Sequence, residues 1–517
     1  MLNAVTIDGL WHHEKNHNYH FKWIHDSMAD LHLLLDGRRL KAQARERRQA
    51  MQRILYEALR DAIAQGRLQA GAVLPSSRDL ARDLAMARNG VIYAYEQLAA
   101  EGYVQPSRQG TVVAAFSAAS SSVGQTRRRD QAASWPNAEV AQRVRHCNRR
   151  RTPEDDLRAF MPGMPALDAF PLRTWLRLCD RAARQGSTQD LGYRYAVGEP
   201  ELRQAIATYL RVARGVRCHA DQITMTDGTQ HSLALCAQIL ADVGDTAWIE
   251  HPGYGGARTV LTQAGLTLQP VTVDAEGIAP PEDWWQSRPP RLIYITPSHQ
   301  YPLGSVLSLP RRLHLIEQAR RAGTWILEDD YDGEFRHDGP PLAAMQGQVA
   351  DAPVVYLGTF SKSMFPALRL GFVVWPEALA DRVMGVVGGL VLQGRPFEQR
   401  ALAAFIDEGH FTRHLRRMRK LYAIRQAALR EALQRHWPVP GQILGGQAGM
   451  HLVLSLPAAD TALAQAAYQR GISPRPLSLY GTGGVAGFNG LVMGYANTHE
   501  DRMAKQVQTL VSAWQGL

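Results

Sequence analysis

Lys362 stands in the run Thr359-Phe-Ser-Lys362-Ser-Met-Phe-Pro-Ala-Leu-Arg369-Leu-Gly371, between two serines and seven residues before an arginine. The apolar runs Val354–Leu357 and Phe372–Trp375 flank it, so both sides read as buried strands. An amine held there is desolvated and becomes a nucleophile. The hydroxyls of Thr359 and Ser361 and the guanidinium fork of Arg369 suit a phosphate. A nucleophilic amine beside a phosphate cradle is what holding pyridoxal 5'-phosphate (PLP) as a Schiff base on Lys362 requires.

Other residues extend this chemistry. Gly228-Thr229-Gln230 follows the strand-like Gln222–Met225 and opens the apolar helix Ser232–Leu240, and a helix N-terminus offers free N–H groups to an anion. Trp325-Ile-Leu-Glu-Asp-Asp-Tyr-Asp332 reads as a buried strand ending in acids, at the strand end where α/β sheets place ligands. Asp329 can face a pyridine nitrogen and keep it protonated; two unit charges about 4 Å apart attract by roughly 4 kcal/mol at an effective dielectric near 20. Tyr331 can hydrogen-bond the ring's phenolic oxygen, and Tyr254, in His251-Pro-Gly-Tyr254 after another buried strand, can stack on the ring. The Pro297–Gly304 loop, after the strand Leu292–Ile295, offers His299, Gln300 and Tyr301; a lone histidine such as His299 is more often structural.

The elements that must position these groups begin near residue 157. Short apolar strands (Thr246–Ile249, Leu292–Ile295, Trp325–Leu327) alternate with amphipathic helices, the pattern of a parallel α/β sheet. This region, 157–517, divides into a large part over about 185–400 and a small α+β lobe over about 400–517, which opens with a long helix, Phe405–Arg435.

Residues 46–115 read differently. One helix spans 46–66, with Ile54, Leu55, Ala58, Leu59 and Ala62 at helical spacing. A second is capped by Ser76 or Ser77, and a third runs from near Ala87 through Val91, Tyr95 and Leu98 to Gly102. Two short strands around a basic turn follow, up to Val113. Three helices and a hairpin make a winged helix-turn-helix. Arg88 and Asn89 open the recognition helix, where side chains reach base edges, and Arg and Asn read guanine and adenine. Ser77 and Arg78 can meet phosphates, and Arg108 and Gly110 form the wing.

Residues 1–45 read as an irregular extension; its six histidines (His12, His13, His17, His20, His25, His32) fit no standard metal spacing, and a flexible tail is the favoured reading. Residues 116–156 are poor in bulky apolar groups and read as a flexible linker. The chain has 517 residues and a formal net charge of +10. Residues 1–155 hold 23 basic and 16 acidic residues, so most of the excess sits at the end that reads as DNA-binding. The four cysteines (Cys147, Cys179, Cys218, Cys236) lack CxxC spacing, which fits a reducing cytoplasm. No leader and no span of 18 apolar residues is read in the sequence.

Over residues 157–515, Gly228-Thr-Gln230, the Pro297–Gly304 loop, Glu328-Asp-Asp-Tyr331 and Thr359-x-Ser-Lys362…Arg369 resemble the fold-type I aminotransferases. Over 50–115, Leu74-Pro-Ser-Ser-Arg78 and Ala94–Tyr103 resemble the GntR-type winged helix. Joined in this order, they resemble the MocR/GabR class of bacterial transcription regulators. The resemblance implies an α/β, fold-type I PLP-dependent transferase-like domain behind an N-terminal winged helix-turn-helix. It implies Lys362 as the Schiff-base lysine, Asp329 and Tyr331 as ring partners, Gly228, Thr229, Thr359, Ser361 and Arg369 as the phosphate cup, and Gln230 among the cofactor-binding residues. Tyr254 takes the stacking place, and Tyr301 stands before Pro302 where many aminotransferases have asparagine. Arg258 and Arg475 are the candidates for an effector carboxylate. The expected protein is a cytoplasmic, domain-swapped homodimer that binds an operator duplex, PLP and an amino-compound effector. The alternatives are a working aminotransferase with an accessory winged helix, and a DNA-binding protein that has lost its cofactor.

Overall fold

The computed structural model describes residues 35–108, 110–115, 153–337, 339, 342–390, 393–439, 441–457, 460–481 and 488–517. It comprises two units, Met1–Ala138 and Glu139–Leu517.

In the first unit, α1 (Gly37–Arg47), α2 (Met51–Ala64), α3 (Ser77–Asp83) and α4 (Arg88–Ala100) precede the antiparallel hairpin of β1 (Val104–Ser107) and β2 (Gly110–Val113). Leu55, Leu59, Val91, Ala94 and Leu98 are fully buried and form its core. The Ser76 side chain caps α3 by accepting from Asp79 N, whereas Ala87 gives α4 no side-chain cap. The Tyr95 hydroxyl donates to Pro75 O at 2.9 Å, fixing α4 against the start of α3. Leu74 N donates to Thr111 O at 2.8 Å and fastens the wing to the helices. Helix α1 is a departure from the irregular chain expected up to residue 45. Asp36 caps it by accepting from Arg38 N at 2.8 Å, and Leu40 is its one buried residue. A single apolar anchor leaves no periodicity to read. The histidines before residue 35 and residues 116–152 of the expected linker lie outside the described residues, and the last four linker positions form a single helical turn, Pro153–Asp156.

The second unit is built on eight strands in the order β3 (Ile223–Thr226), β10 (Gly371–Val374), β9 (Val354–Thr359), β8 (Trp325–Asp330), β7 (Leu292–Ile295), β4 (Thr246–His251), β5 (Thr267–Asp274), β6 (Gly277–Ile278). The β4–β5, β4–β7, β7–β8 and β8–β9 pairs are parallel; β4, β7, β8 and β9 are buried on both faces, whereas the outer β5 is partly exposed. Helices α5 (Thr229–Leu240) and α6 (Leu309–Ala322) lie among the coverings. The sheet is not wholly parallel, as the strand–helix alternation suggested. β10 is antiparallel to both β3 and β9. Only residues 360–370 join β9 to β10, too few for a crossover, so the chain turns back beside the strand it left.

The smaller lobe is a four-stranded antiparallel sheet in the order β11 (Ile443–Leu444), β12 (His451–Ser455), β14 (Gly490–Gly494), β13 (Arg475–Pro476). The single helix expected over Phe405–Arg435 is two, Pro396–Asp407 and α7 (His410–His436), separated at Gly409 with φ +73°. Among the described residues no helix is long and apolar enough to cross a membrane.

Candidate functional site

The turn after β9 carries the lysine. Thr359 caps it, its hydroxyl accepting from Ser361 N at 3.2 Å, and the single turn Phe360–Ser363 lifts Lys362 off the sheet edge. Arg369 follows in the left-handed region at φ +49° before β10 begins. Because β10 lies beside β3, the loop after β3 comes to the same edge. There Gly228 adopts φ +98°, ψ 178°, a conformation confined to glycine, and caps α5. A Cβ at Gly228 would sit 3.6 Å from Arg369 Nη1, so the two loops make one cradle.

A cavity of about 350 Å3 opens at this edge. It is lined by Thr229, Gln230, Tyr254, Tyr301, Asp329, Tyr331, Thr359, Ser361, Lys362 and Arg369, all singled out in the sequence. Gly163, Tyr294, Thr296 and Tyr480, which the sequence reading missed, line it too. Lys362 Nζ donates to Gly163 O at 2.8 Å. Tyr294 was readable as the one hydroxyl-bearing side chain in the run Leu292–Ile295, whereas Gly163 lies 199 positions from the lysine it meets and gives no local sign.

The acids at the end of β8 each meet a different partner. Glu328 accepts from Met345 N and Gln346 N at 2.7 and 2.9 Å. Asp330 pairs with buried Arg214, whose Nε donates at 2.7 Å, and accepts from the Tyr356 hydroxyl at 2.6 Å. Asp332 accepts from His299 Nδ1 at 3.0 Å. Asp329 accepts from the Tyr294 hydroxyl at 2.7 Å through Oδ2, but its Oδ1 is buried with no partner. Burial pushes the Asp329 carboxyl up to about 7, although the Tyr294 hydrogen bond and Lys362 oppose the rise. Burial likewise raises Glu250 to about 7, held by Thr296 Oγ1 at 2.7 Å.

Aromatic rings wall the rest. The Tyr301 and Tyr480 hydroxyls are 2.9 Å apart, and Tyr254 and Tyr301 meet edge-on with centroids 6.0 Å apart. The Tyr331 hydroxyl donates to His299 O at 3.1 Å. His299, Asp332 and His451 form a buried group behind Tyr331, with their ligand-type atoms within 4.8 Å of one another. Thus His299 is a buried support of the wall, in line with the structural reading of it.

Arg258 and Arg475 do not line the cavity. Arg258 donates to Gly481 O at 2.7 Å and Leu479 O at 3.2 Å, bracing the chain around Tyr480, and Arg475 sits in β13 opposite Val492. In the first unit Arg88 and Asn89 are exposed at the start of α4, and Arg88 Nε donates to Ser77 Oγ at 3.2 Å. Arg78 is exposed on α3, and Arg108 and Gly110 are exposed at the hairpin turn.

Residues 169–500 match the aminotransferase class I and II family, and residues 52–113 match the gntR family of bacterial regulatory proteins. Over 475 residues the chain is 41% identical to the probable rhizopine catabolism regulatory protein MocR of Rhizobium meliloti, spanning 90% of this chain and 94% of that one. The chain belongs to the MocR-type regulators of the gntR family. Another relative, the HTH-type pyridoxine biosynthesis transcriptional regulator PdxR of Corynebacterium glutamicum, is 30% identical over 460 residues, covering 87% of this chain and 92% of its own. Among solved structures, the α-aminoadipate aminotransferase LysN of Thermus thermophilus, complexed with N-(5'-phosphopyridoxyl)-L-leucine, aligns with a TM-score of 0.63 at 27% identity. The alignment covers 69% of this chain and 92% of LysN. As a MocR-type regulator the chain joins a GntR winged helix to an aminotransferase fold, the order expected from its sequence.

Proposed function

We propose that this protein is a PLP-responsive, DNA-binding transcription regulator of the cytoplasm. One observation carries the cofactor half of the reading. Asp329 lines the same cavity as Lys362 and Arg369, and its buried Oδ1 has no partner. A buried acceptor without a donor is costly, and a protonated ring nitrogen is the donor it lacks. The Gly228 cradle against Arg369 adds a second fit, since only a residue without Cβ lets a phosphate approach the backbone there.

PLP, when bound, supplies an aldehyde that captures primary amines and a ring that withdraws electrons. Lys362 offers the amine. Arg369, Thr229, Gln230, Thr359, Ser361 and the N-terminus of α5 take the phosphate. Asp329 would supply the countercharge to the ring nitrogen, Tyr331 would turn its hydroxyl from His299 O to the phenolic oxygen, and Tyr254 would cover the ring face; Tyr301 stands before Pro302 where many aminotransferases have asparagine. In the first unit Arg88 and Asn89 read base edges, while Ser77, Arg78, Arg108 and Gly110 follow the backbone. The ligand acts by binding unequally to two arrangements of the protein. An amine that competes with Lys362 for the aldehyde is the natural effector, with Arg258 and Arg475 the candidates for its carboxylate. The working unit is a homodimer, a reading supported by Leu191 and Tyr193, which are 76% and 94% exposed on one short segment.

The test is a selection of genomic fragments bound by the purified chain with and without PLP, repeated with Lys362→Ala. Enrichment of one fragment set that depends on PLP in the wild type and not in the variant supports the reading. Binding indifferent to PLP in both, or turnover of amino donors with no fragment enriched, contradicts it.

A further inference from the structure

α7 carries Arg413, Arg416, Arg417 and Lys420 at positions i, i+3, i+4 and i+7, which share one face over about 10 Å of helix axis. All four are exposed, while Phe411, Leu415 and Met418 on the other face are buried in the second unit's core. The helix is therefore fixed with its basic face outward. Its first turn has no acid, and its first carboxylate, Glu431, is paired with Arg435. Of the two acids that precede it, Glu408 is engaged by Arg181 and His410, and Asp407 is exposed. Among the described residues no carboxylate pairs with Arg416, Arg417 or Lys420.

This arrangement works against the helix. Arg413, whose Nη2 donates to Glu408 O at 3.1 Å, stands at the positive end of its macrodipole, and the pairs Arg413/Arg417 and Arg416/Lys420 set like charges one turn apart. Stability gives no reason for such a face; a polyanion laid along it removes both penalties. A DNA duplex presents one phosphate charge for each 1.7 Å or so of axis, about six over the same length.

Resting on the DNA-binding reading above, we propose that this face of α7 is a sequence-independent contact for DNA phosphates, a second foothold besides the winged helix. Lys and Arg without base contacts add affinity and salt dependence rather than specificity. The test is fluorescence anisotropy of the full-length, PLP-loaded chain on a long mixed-sequence duplex across a salt series. Each lost phosphate contact lowers the slope of log affinity against log salt by about 0.9. The variant Arg413→Gln/Arg416→Gln/Arg417→Gln/Lys420→Gln is expected to lose about 3 to 4 of that slope. A control with the same charge removed elsewhere (Arg211→Gln/Arg320→Gln/Arg321→Gln/Arg435→Gln) is expected to keep the wild-type slope. Unchanged cofactor absorbance verifies that both variants are folded, and the double reversal Arg416→Glu/Arg417→Glu is expected to lose more affinity than the corresponding pair of glutamines. Equal slopes for the stripe variant and wild type overturn the inference while leaving the proposed function standing. An equal slope with lost retention on polyglutamate assigns the face to an acidic protein instead. If the wild type binds no duplex at all, the DNA-binding reading itself fails.

Discussion

Asp329→Asn has two effects of opposite sign, and their combination is specific to the proposed role. The carboxyl is buried and raised from its ordinary 3.8 to about 7, with burial the largest cause. An acid whose folded pKa is raised costs the fold nothing below the unfolded value, progressively more as pH rises between the two, and the full amount above the folded value. At about 1.4 kcal/mol per tenfold change in proton affinity, that cost is on the order of 4 kcal/mol at pH near 8. The amide removes the charge and keeps an acceptor for Tyr294, but it leaves N–H donors to satisfy. A net gain of about 2 kcal/mol in the ligand-free protein is expected to survive. With PLP bound the sign reverses. The lost attraction to a protonated ring nitrogen is about 4 kcal/mol, close to a thousandfold in affinity. The assay is thermal unfolding of the ligand-free wild-type and D329N proteins at about pH 4 and pH 8, with a PLP titration read by absorbance. D329N is expected to melt higher at the alkaline pH, to match wild type at the acid one, and to bind PLP far more weakly. A D329N protein that melts lower at alkaline pH and takes up PLP as wild type does would refute the reasoning, because the carboxylate would then be a structural partner of Tyr294 alone.

Two further outcomes are expected. Arg88→Ala removes an exposed side chain at the start of α4, so duplex affinity should fall about 10- to 100-fold in anisotropy with PLP uptake intact; wild-type affinity would remove Arg88 from the reading set. Gly228→Ala forces a side chain into a glycine-only conformation at φ +98°, which should cost about 1–3 kcal/mol in thermal unfolding and weaken PLP binding. Unchanged melting and affinity would show that the cradle tolerates a Cβ.

Much of the cavity was legible because its residues sit at the ends of apolar strands. A parallel strand buried on both faces is an unbroken apolar run, and the polar residue that ends it marks the ligand edge. That is how Asp329 after Trp325–Leu327, and Thr359 and Lys362 after Val354–Leu357, could be read. Contacts made across long sequence separations carry no such signal. Gly163 meeting Lys362 and His451 meeting the His299–Asp332 pair depend on the tertiary fold. The antiparallel β10 was hidden because its apolar run looks like that of its parallel neighbours; only the 11-residue connection distinguishes it. The break at Gly409 was overridden by strong apolar spacing on both sides, and α1 is too polar to announce itself. The bonds from the Arg258 guanidinium to two backbone carbonyls more than 200 positions away are likewise invisible in the sequence.

Where PLP attaches decides the matter most directly. The protein is incubated with PLP, reduced with borohydride, digested and analysed by mass spectrometry, beside Lys362→Ala. One phosphopyridoxyl mass is expected, on the peptide that contains Lys362, and none in the variant. A wild type that carries no label, or the same label persisting in the variant on another lysine, would contradict it.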